Sequence, residues 1–180
     1  MISVVNANAS TMYPPAILDI EASGFGLGSY PIEIGFVQPG GQTWCSLVRP
    51  LDDWQHWDPN AAAVHNITRE QLFQCGRTPL EIAQLLNDRL HGMTVYSDAW
   101  AHDYTWLYRL YEAADMSPSF RLESLRALLS DNDAARWHDV KRRVALSSGL
   151  ERHRASADAR LLQQTWLALR QDREAKRAAA

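Results

Sequence analysis

The chain has 180 residues and a net charge of −3; 46% of its side chains are apolar and 22% charged. This is an ordinary globular balance, and the length suits one domain rather than two, with enough chain to bury a core. No stretch approaches the ~18 apolar residues of a membrane span, and the first fifteen residues carry no Lys, no Arg and no continuous apolar run, so neither a membrane protein nor a secretory signal is expected.

Met1 to Pro15 reads as an irregular lead-in ending in Pro14-Pro15. Ala16 to Glu21 (AILDIE) is a short apolar run bounded by Ser23-Gly24, the pattern of a central strand. The turn Gly24 to Ser29 leads into Pro31–Gln38, where Ile32, Ile34 and Phe36 alternate with Glu33, Gly35 and Val37. Gly40-Gly41 turns the chain into a third strand, Gln42–Val48. Strands joined by short Gly turns predict an antiparallel meander.

Helical signals dominate afterwards. Thr68, followed by Glu70 and Gln71, opens a short helix, and Thr78-Pro79-Leu80-Glu81 supplies a cap, a first-turn proline and a third-position acid for another. Leu80, Ile82, Ala83, Leu85, Leu86 and Leu90 give that helix its apolar face, and His91-Gly92 ends it. Met93–Ser97 reads as a fourth strand, and Asp103 to Ala114 as a helix with Leu107, Leu110 and Tyr111 at helical spacing. Phe120 begins a fifth, short strand before a helix over Leu122–Leu129. Helices over Ala134–Ser147 and Ala155–Arg173 follow, and residues 174–180 read as a fraying tail. Strands first, with helices between and after them, imply an α/β sandwich with a mixed sheet.

The chemistry-bearing feature is a set of acids at strand ends and helix starts. Asp19 and Glu21 are two apart on one strand, so both point to the same face. A strand so apolar belongs at the centre of a sheet, where ionised carboxylates are costly unless paired or bound to a hard cation such as Mg²⁺ or Mn²⁺. Taken alone, an Asp-x-Glu pair more often runs out of the sheet into a solvated turn. Asp103 stands at a helix start, where the helix dipole favours an acid; without the other acids a simple cap is the plainer reading, and Asp98 competes for the same role. His153 and Asp158 are five residues apart across a loop-to-helix junction. A histidine of near-neutral pKa there can take a proton from water, although a surface histidine is the plainer reading of that spacing alone.

In combination and in this order, these segments resemble the DnaQ-like exonucleases of the DEDD superfamily, in the branch with a histidine in the last motif (DEDDh). The first motif is matched by Ile17-Leu18-Asp19-Ile20-Glu21-Ala22-Ser23-Gly24, the second by His102-Asp103…Leu107, and the third by His153-Arg154-Ala155…Asp158-Ala159. The segment Asn60 to Thr68 is similar to the stretch that ends His-Gly-Ile-Thr in the family, with Asn66 in place of its glycine. Ala99 and His102 stand where Asn and Phe are frequent, and Ser23 where Thr is. The likeness spans Ala16 to about Leu169.

The resemblance implies a five-stranded mixed sheet of ribonuclease H-like type, flanked by helices. It implies a 3′→5′ exonuclease on single-stranded DNA or RNA, two Mg²⁺ or Mn²⁺ ions held by Asp19, Glu21, Asp103 and Asp158, and His153 as general base. Ala22, Ser23, Gly24 and Phe25, with His65 and Ile67, would hold the 3′-terminal nucleotide; core packing is the other reading of Phe25 and Ile67. A homodimer is compatible with the family.

The net negative charge departs from the basic footprint usual in nucleic-acid-binding proteins. Bound cations would reverse the sign locally. The run Arg136 to Arg154 also sets Arg136, Lys141, Arg142, Arg143, Arg152 and Arg154 against Asp139 and Glu151; alone, it reads as a solvated helix face. Trp106 and Trp166 fall on apolar helix faces, whereas Trp54, Trp57 and Trp100 fall in loops or near the site, where unpaired bases stack. Cys45 and Cys75 have no metal-binding spacing and read as free thiols of a cytoplasmic protein. A non-catalytic nucleic-acid-binding domain and a small-nucleotide phosphodiesterase are the alternatives. A dinucleotide-binding enzyme is not, because Gly24-Phe25-Gly26-Leu27-Gly28 joins two strands rather than a strand to a helix.

Overall fold

The central strand, β1 (Ala16–Ala22), is covered on both faces, which is why its sequence is apolar almost throughout. In this computed structural model, which describes residues 13–149 and 153–178, Ile17 packs with Val37, Leu162 and Trp166 on one face. Leu18 and Ile20 pack with Ile34, Leu86 and Leu110 on the other. β2 (Pro31–Val37) runs antiparallel to β1, setting Asp19 opposite Gly35 and Glu21 opposite Glu33. β3 (Thr43–Leu47) completes the expected meander. β4 (Thr94–Ser97) lies parallel to β1 on its other side, and β5 (Arg121–Ser124) parallel to β4. The order is β3-β2-β1-β4-β5, a five-stranded mixed sheet flanked by helices.

Helix α1 (Pro59–His65) was not marked by periodicity, being a single short run of alanines, but Asp58 caps it by accepting from the Asn60 N–H. α2 (Arg69–Cys75) and α3 (Pro79–Leu90) start from capping boxes, Thr68 with Gln71 and Thr78 with Glu81, as their sequences predict. α4 (Trp100–Ala113) begins three residues earlier than expected, so Asp103 sits within its first turn rather than at its cap. The fifth strand expected from Phe120 forms as β5, Arg121–Ser124. It runs on into the segment expected to be helical, which is reduced to a 3₁₀ turn, Leu125–Leu128, because the backbone of Arg121–Ser124 pairs with β4. α5 (Asp131–Ser148) starts at a Ser130–Asp133 capping box. α6 (Ala155–Ala178) continues through residues expected to fray.

α3 and α4 cover one face of the sheet and α5 and α6 the other. Most of the lead-in, residues 1–12, lies outside the described residues, as do residues 179–180 of the tail. Among the described residues no helix is long and apolar enough to cross a membrane.

One glycine sets how closely α6 approaches. A Cβ on Gly35 would lie 2.2 Å from the Ser156 nitrogen and 2.5 Å from the Ala155 carbonyl carbon. Both are backbone atoms that cannot swing aside, so the start of α6 rests directly on β2. Gly35→Ala should therefore destabilise the fold by about 2 kcal/mol or more, at the upper end of ordinary overpacking. Urea denaturation would measure it, and an unchanged midpoint would contradict this seating of α6.

Candidate active site

Asp19 and Glu21 leave β1 on the face that carries α6, one residue apart in the pleat. Asp103 arrives from the first turn of α4, on the opposite side of the sheet, and Asp158 from the first turn of α6. All four carboxylates line one cleft of about 330 Å³. His153 precedes α6 in the left-handed conformation, φ 62°, and its backbone N–H donates to the Asp158 carboxylate at 2.8 Å. Its ring, Glu21 and Asp158 each offer an atom within 4.8 Å of the others, an arrangement able to hold a metal ion.

So many acids in one cleft resist ionisation. Burial pushes Asp19 well above the ordinary carboxylate range, and the charges of Asp103, Glu21, Asp158 and Asp98 push it further. Glu21 is raised to about 7, by burial first and then by Asp158 and Glu33, with Arg154 working against them. Asp103 is raised to about 7 by burial, with Asp98 and Glu21 adding to the shift and the Ser97 hydroxyl opposing it.

Two groups that the motifs did not mark hold this arrangement in place. Ser97, buried at the end of β4, hydrogen-bonds the Asp103 carboxylate. It thus gives Asp103 the support that Ala99 cannot. Glu33, fully buried on β2, accepts from the Arg154 guanidinium at 2.5 to 3.2 Å and from the Ala155 N–H at 2.8 Å. The only hint in the sequence was a charged residue within an otherwise apolar strand. Asp98 pairs instead with Lys141 at 2.9 Å.

The turn after β1 forms one wall of the cleft through Ala22, Gly24 and Phe25. Gly24 has φ 138°, and a Cβ there would lie 2.6 Å from Cβ of Asp58 and 2.8 Å from the His56 ring, so no larger residue fits. Ser23 is buried and turned away from the cleft lining: its hydroxyl accepts from the Tyr30 N–H at 3.1 Å and bonds His56 Nδ1 at 3.1 Å. Phe25 is 66% exposed, edge-on to His102 with ring centres 5.0 Å apart, so the core-packing reading of Phe25 does not hold.

His65 lines the cleft and is 4% exposed. Its Nδ1 accepts from the Ile67 N–H at 3.0 Å, while its buried Nε2 has no partner among the described residues. Burial lowers its pKa, which favours the neutral ring, and the Ile67 bond then puts the proton on Nε2. Asn66 takes φ 55° at the C-cap of α1, a left-handed position that Asn and Gly both tolerate, so the substitution for glycine preserves the turn. Ile67 is buried in the core behind His65 and does not line the cleft.

Trp106 and Trp166 are buried as expected. Trp54, expected in an accessible loop, is 3% exposed and stacks on Tyr30, and Trp57 packs edge-on to His65. Trp100 stays exposed. The basic run is paired within the protein: Arg136 and Arg143 with Asp172, Lys141 with Asp98, Arg142 with Asp139, and Arg154 with Glu33. Arg152 and Glu151 lie outside the described residues.

Neither a protein-family model nor a curated protein matches the chain. Solved structures do. The complex of E. coli Exonuclease I with a dA16 oligonucleotide matches with a TM-score of 0.64 at 14% identity, over 88% of this chain and 41% of that one. Exonuclease I from the moderately thermophilic Methylocaldum szegediense matches at 0.63 and 15%, over 87% and 40%. The zinc-bound E. coli Exonuclease I complex with single-stranded DNA matches at 0.61 and 14%, over 88% and 41%. The chain thus spans less than half the length of these enzymes. What the likeness establishes is the fold, the ribonuclease H-like α/β architecture of these exonucleases.

Proposed function

We propose that the chain is a metal-dependent 3′→5′ exonuclease of the DEDDh type, acting in the cytoplasm on single-stranded DNA or RNA. The observation that supports this most directly is the convergence of Asp19, Glu21, Asp103 and Asp158 on one cleft, with His153 beside Glu21 and Asp158. Their donor atoms suit Mg²⁺ or Mn²⁺, which favour carboxylate oxygens. Burial first, and then mutual repulsion, raise three of these pKa values, and bound cations would offset both. Two such ions would supply Lewis-acid stabilisation to the attacking and leaving oxygens of an in-line displacement.

The chain's own residues do the remainder. His153, anchored through its backbone to Asp158, takes a proton from the attacking water. Ala22, Gly24 and Phe25 form the wall against which the terminal nucleotide lies, with Ser23 fixing the turn from behind. His65 donates its free Nε2–H to a nucleotide oxygen, and Ile67 contributes by fixing the His65 tautomer. Each of these groups comes from one chain, so the reading holds for a monomer or a homodimer alike.

A 5′-labelled single-stranded DNA and a matching RNA, with Mg²⁺ or Mn²⁺ and with chelator, test this. A metal-dependent ladder shortening from the 3′ end is expected, abolished in Asp19→Ala and reduced about 10²-fold or more in His153→Ala. Oligonucleotides left intact throughout would refute it; binding without cleavage would favour a binding domain, and hydrolysis confined to dinucleotides a small-nucleotide phosphodiesterase.

The raised carboxylates also predict a pH effect in metal-free protein. Glu21 moves from 4.5 to about 7 on folding, and Asp103 moves the same way. A raised acid contributes stability that is fully present below its unfolded pKa and is lost as the pH rises through its folded one. The Tm in chelator should therefore fall between pH 5 and pH 8, while Mn²⁺ should raise Tm more at pH 8 than at pH 5. An equal Mn²⁺ effect at both pH values would remove Glu21 and Asp103 from the ligand set.

A further inference from the structure

Helix α4 carries three aromatic rings that its core contact does not use. Trp106, Leu107, Leu110 and Tyr111 make that contact, whereas Trp100, Tyr104 and Tyr108 are 39%, 51% and 62% exposed. Four-residue spacing stacks the three along one side of the helix, about 6 Å per step. An exposed helix side ordinarily carries polar groups, so a row of large rings there calls for something to cover it.

The row starts beside the carboxylate cleft rather than in its lining: Trp100 and Tyr104 are one residue on from Ala99 and Asp103, which line the cleft, and their rings project to the neighbouring side of α4. The Trp100 indole N–H donates to the Leu122 carbonyl at 2.9 Å, which holds that ring against β5. Its centre is 5.5 Å from that of Tyr104. Tyr104 and Tyr108 then border a second cleft, of about 530 Å³, with Leu107, Tyr111 and Met116.

We propose that Trp100, Tyr104 and Tyr108 form a stacking track for the unpaired bases that precede the terminal nucleotide of a single strand. This rests on the exonuclease reading. Aromatic faces accept any base, which suits an enzyme advancing along a strand regardless of sequence. Charge limits the track's length. Glu112 and Asp115 border the far cleft and repel phosphates, so the row serves about three bases, one for each ring.

The test is binding of fluorescent dT2 and dT8, and of the uridine equivalents, to the full chain in chelator, which prevents cleavage. Wild-type protein should bind the octamer at least tenfold more tightly than the dimer. Tyr104→Ala and Tyr108→Ala should each weaken octamer binding about fivefold or more, the usual range for one stacked base. Tyr104→Phe and Tyr108→Phe should retain it, because the ring remains. Leu146→Ala, which removes an exposed apolar side chain on α5, should change nothing and serves as control.

Alanine variants that bind the octamer as wild type does would overturn the track. So would a Tyr104→Ala variant that loses a dimer in sedimentation while binding DNA normally, since the row would then face a second copy of the chain. Length-dependent binding lost in the alanine variants, without hydrolysis of any oligonucleotide, would retain the track and reject the exonuclease reading. Hydrolysis with unaltered binding in those variants would reject the track alone.

Discussion

The buried carboxylate of Glu33 fixes the start of α6. It lies on β2 directly opposite Glu21 and is fully buried, a position where an ionised acid survives only with its oxygens satisfied. The Arg154 guanidinium and the Ala155 N–H satisfy them. That one contact ties the loop before α6 to the sheet, so His153 and Asp158 are positioned by a strand more than a hundred residues away in sequence. It also brings Arg154 close enough to Glu21 to offset part of the repulsion from Glu33 and Asp158. Gly35, two residues along β2 and on the same face, leaves the space that lets α6 come down.

Around this anchor the cleft is built under electrostatic tension. Four carboxylates from three segments share one wall system, and burial raises the pKa of at least three of them. Supporting bonds hold them there: Ser97 on Asp103, the His153 N–H on Asp158, and the capped, glycine-dependent turn behind Ala22. A protein gains nothing in stability from such crowding, and on the exonuclease reading divalent cations are what make it tolerable.

Local features were legible in the sequence where the physics is local. Alternation in Pro31–Val37, capping boxes at Thr68 and Thr78, and the two-residue spacing of Asp19 and Glu21 each carry their meaning within a few residues. Asn66 also became readable once the turn was known to be left-handed. What escaped was set by distant partners. Glu33 looked like an outward-facing strand residue because Arg154 is 121 positions away. Ser97 had no motif to mark it. Trp54 looked accessible from its loop, yet it stacks on Tyr30 and accepts the Arg109 guanidinium over its ring. Phe120 marked the fifth strand, but its reach to Ser124 is set by the ladder that β4 offers, which local propensity did not determine.

The basic run carries the remaining lesson. Six cationic side chains in nineteen residues read alone as a solvated helix face, and set against the net negative charge as a concentration of positive charge; Arg136, Lys141, Arg142, Arg143 and Arg154 each have an acid within the protein. Guanidinium groups so engaged contribute little free field to attract a polyanion. On the exonuclease reading, a strand must then be held by bound cations at the cleft, by the His65 donor, and by ring faces at Phe25 and along α4. Such binding grips the bases and the reacting phosphate more than the backbone. On that reading it suits a chain of net charge −3, whose hold on a strand would require the strand to be unpaired.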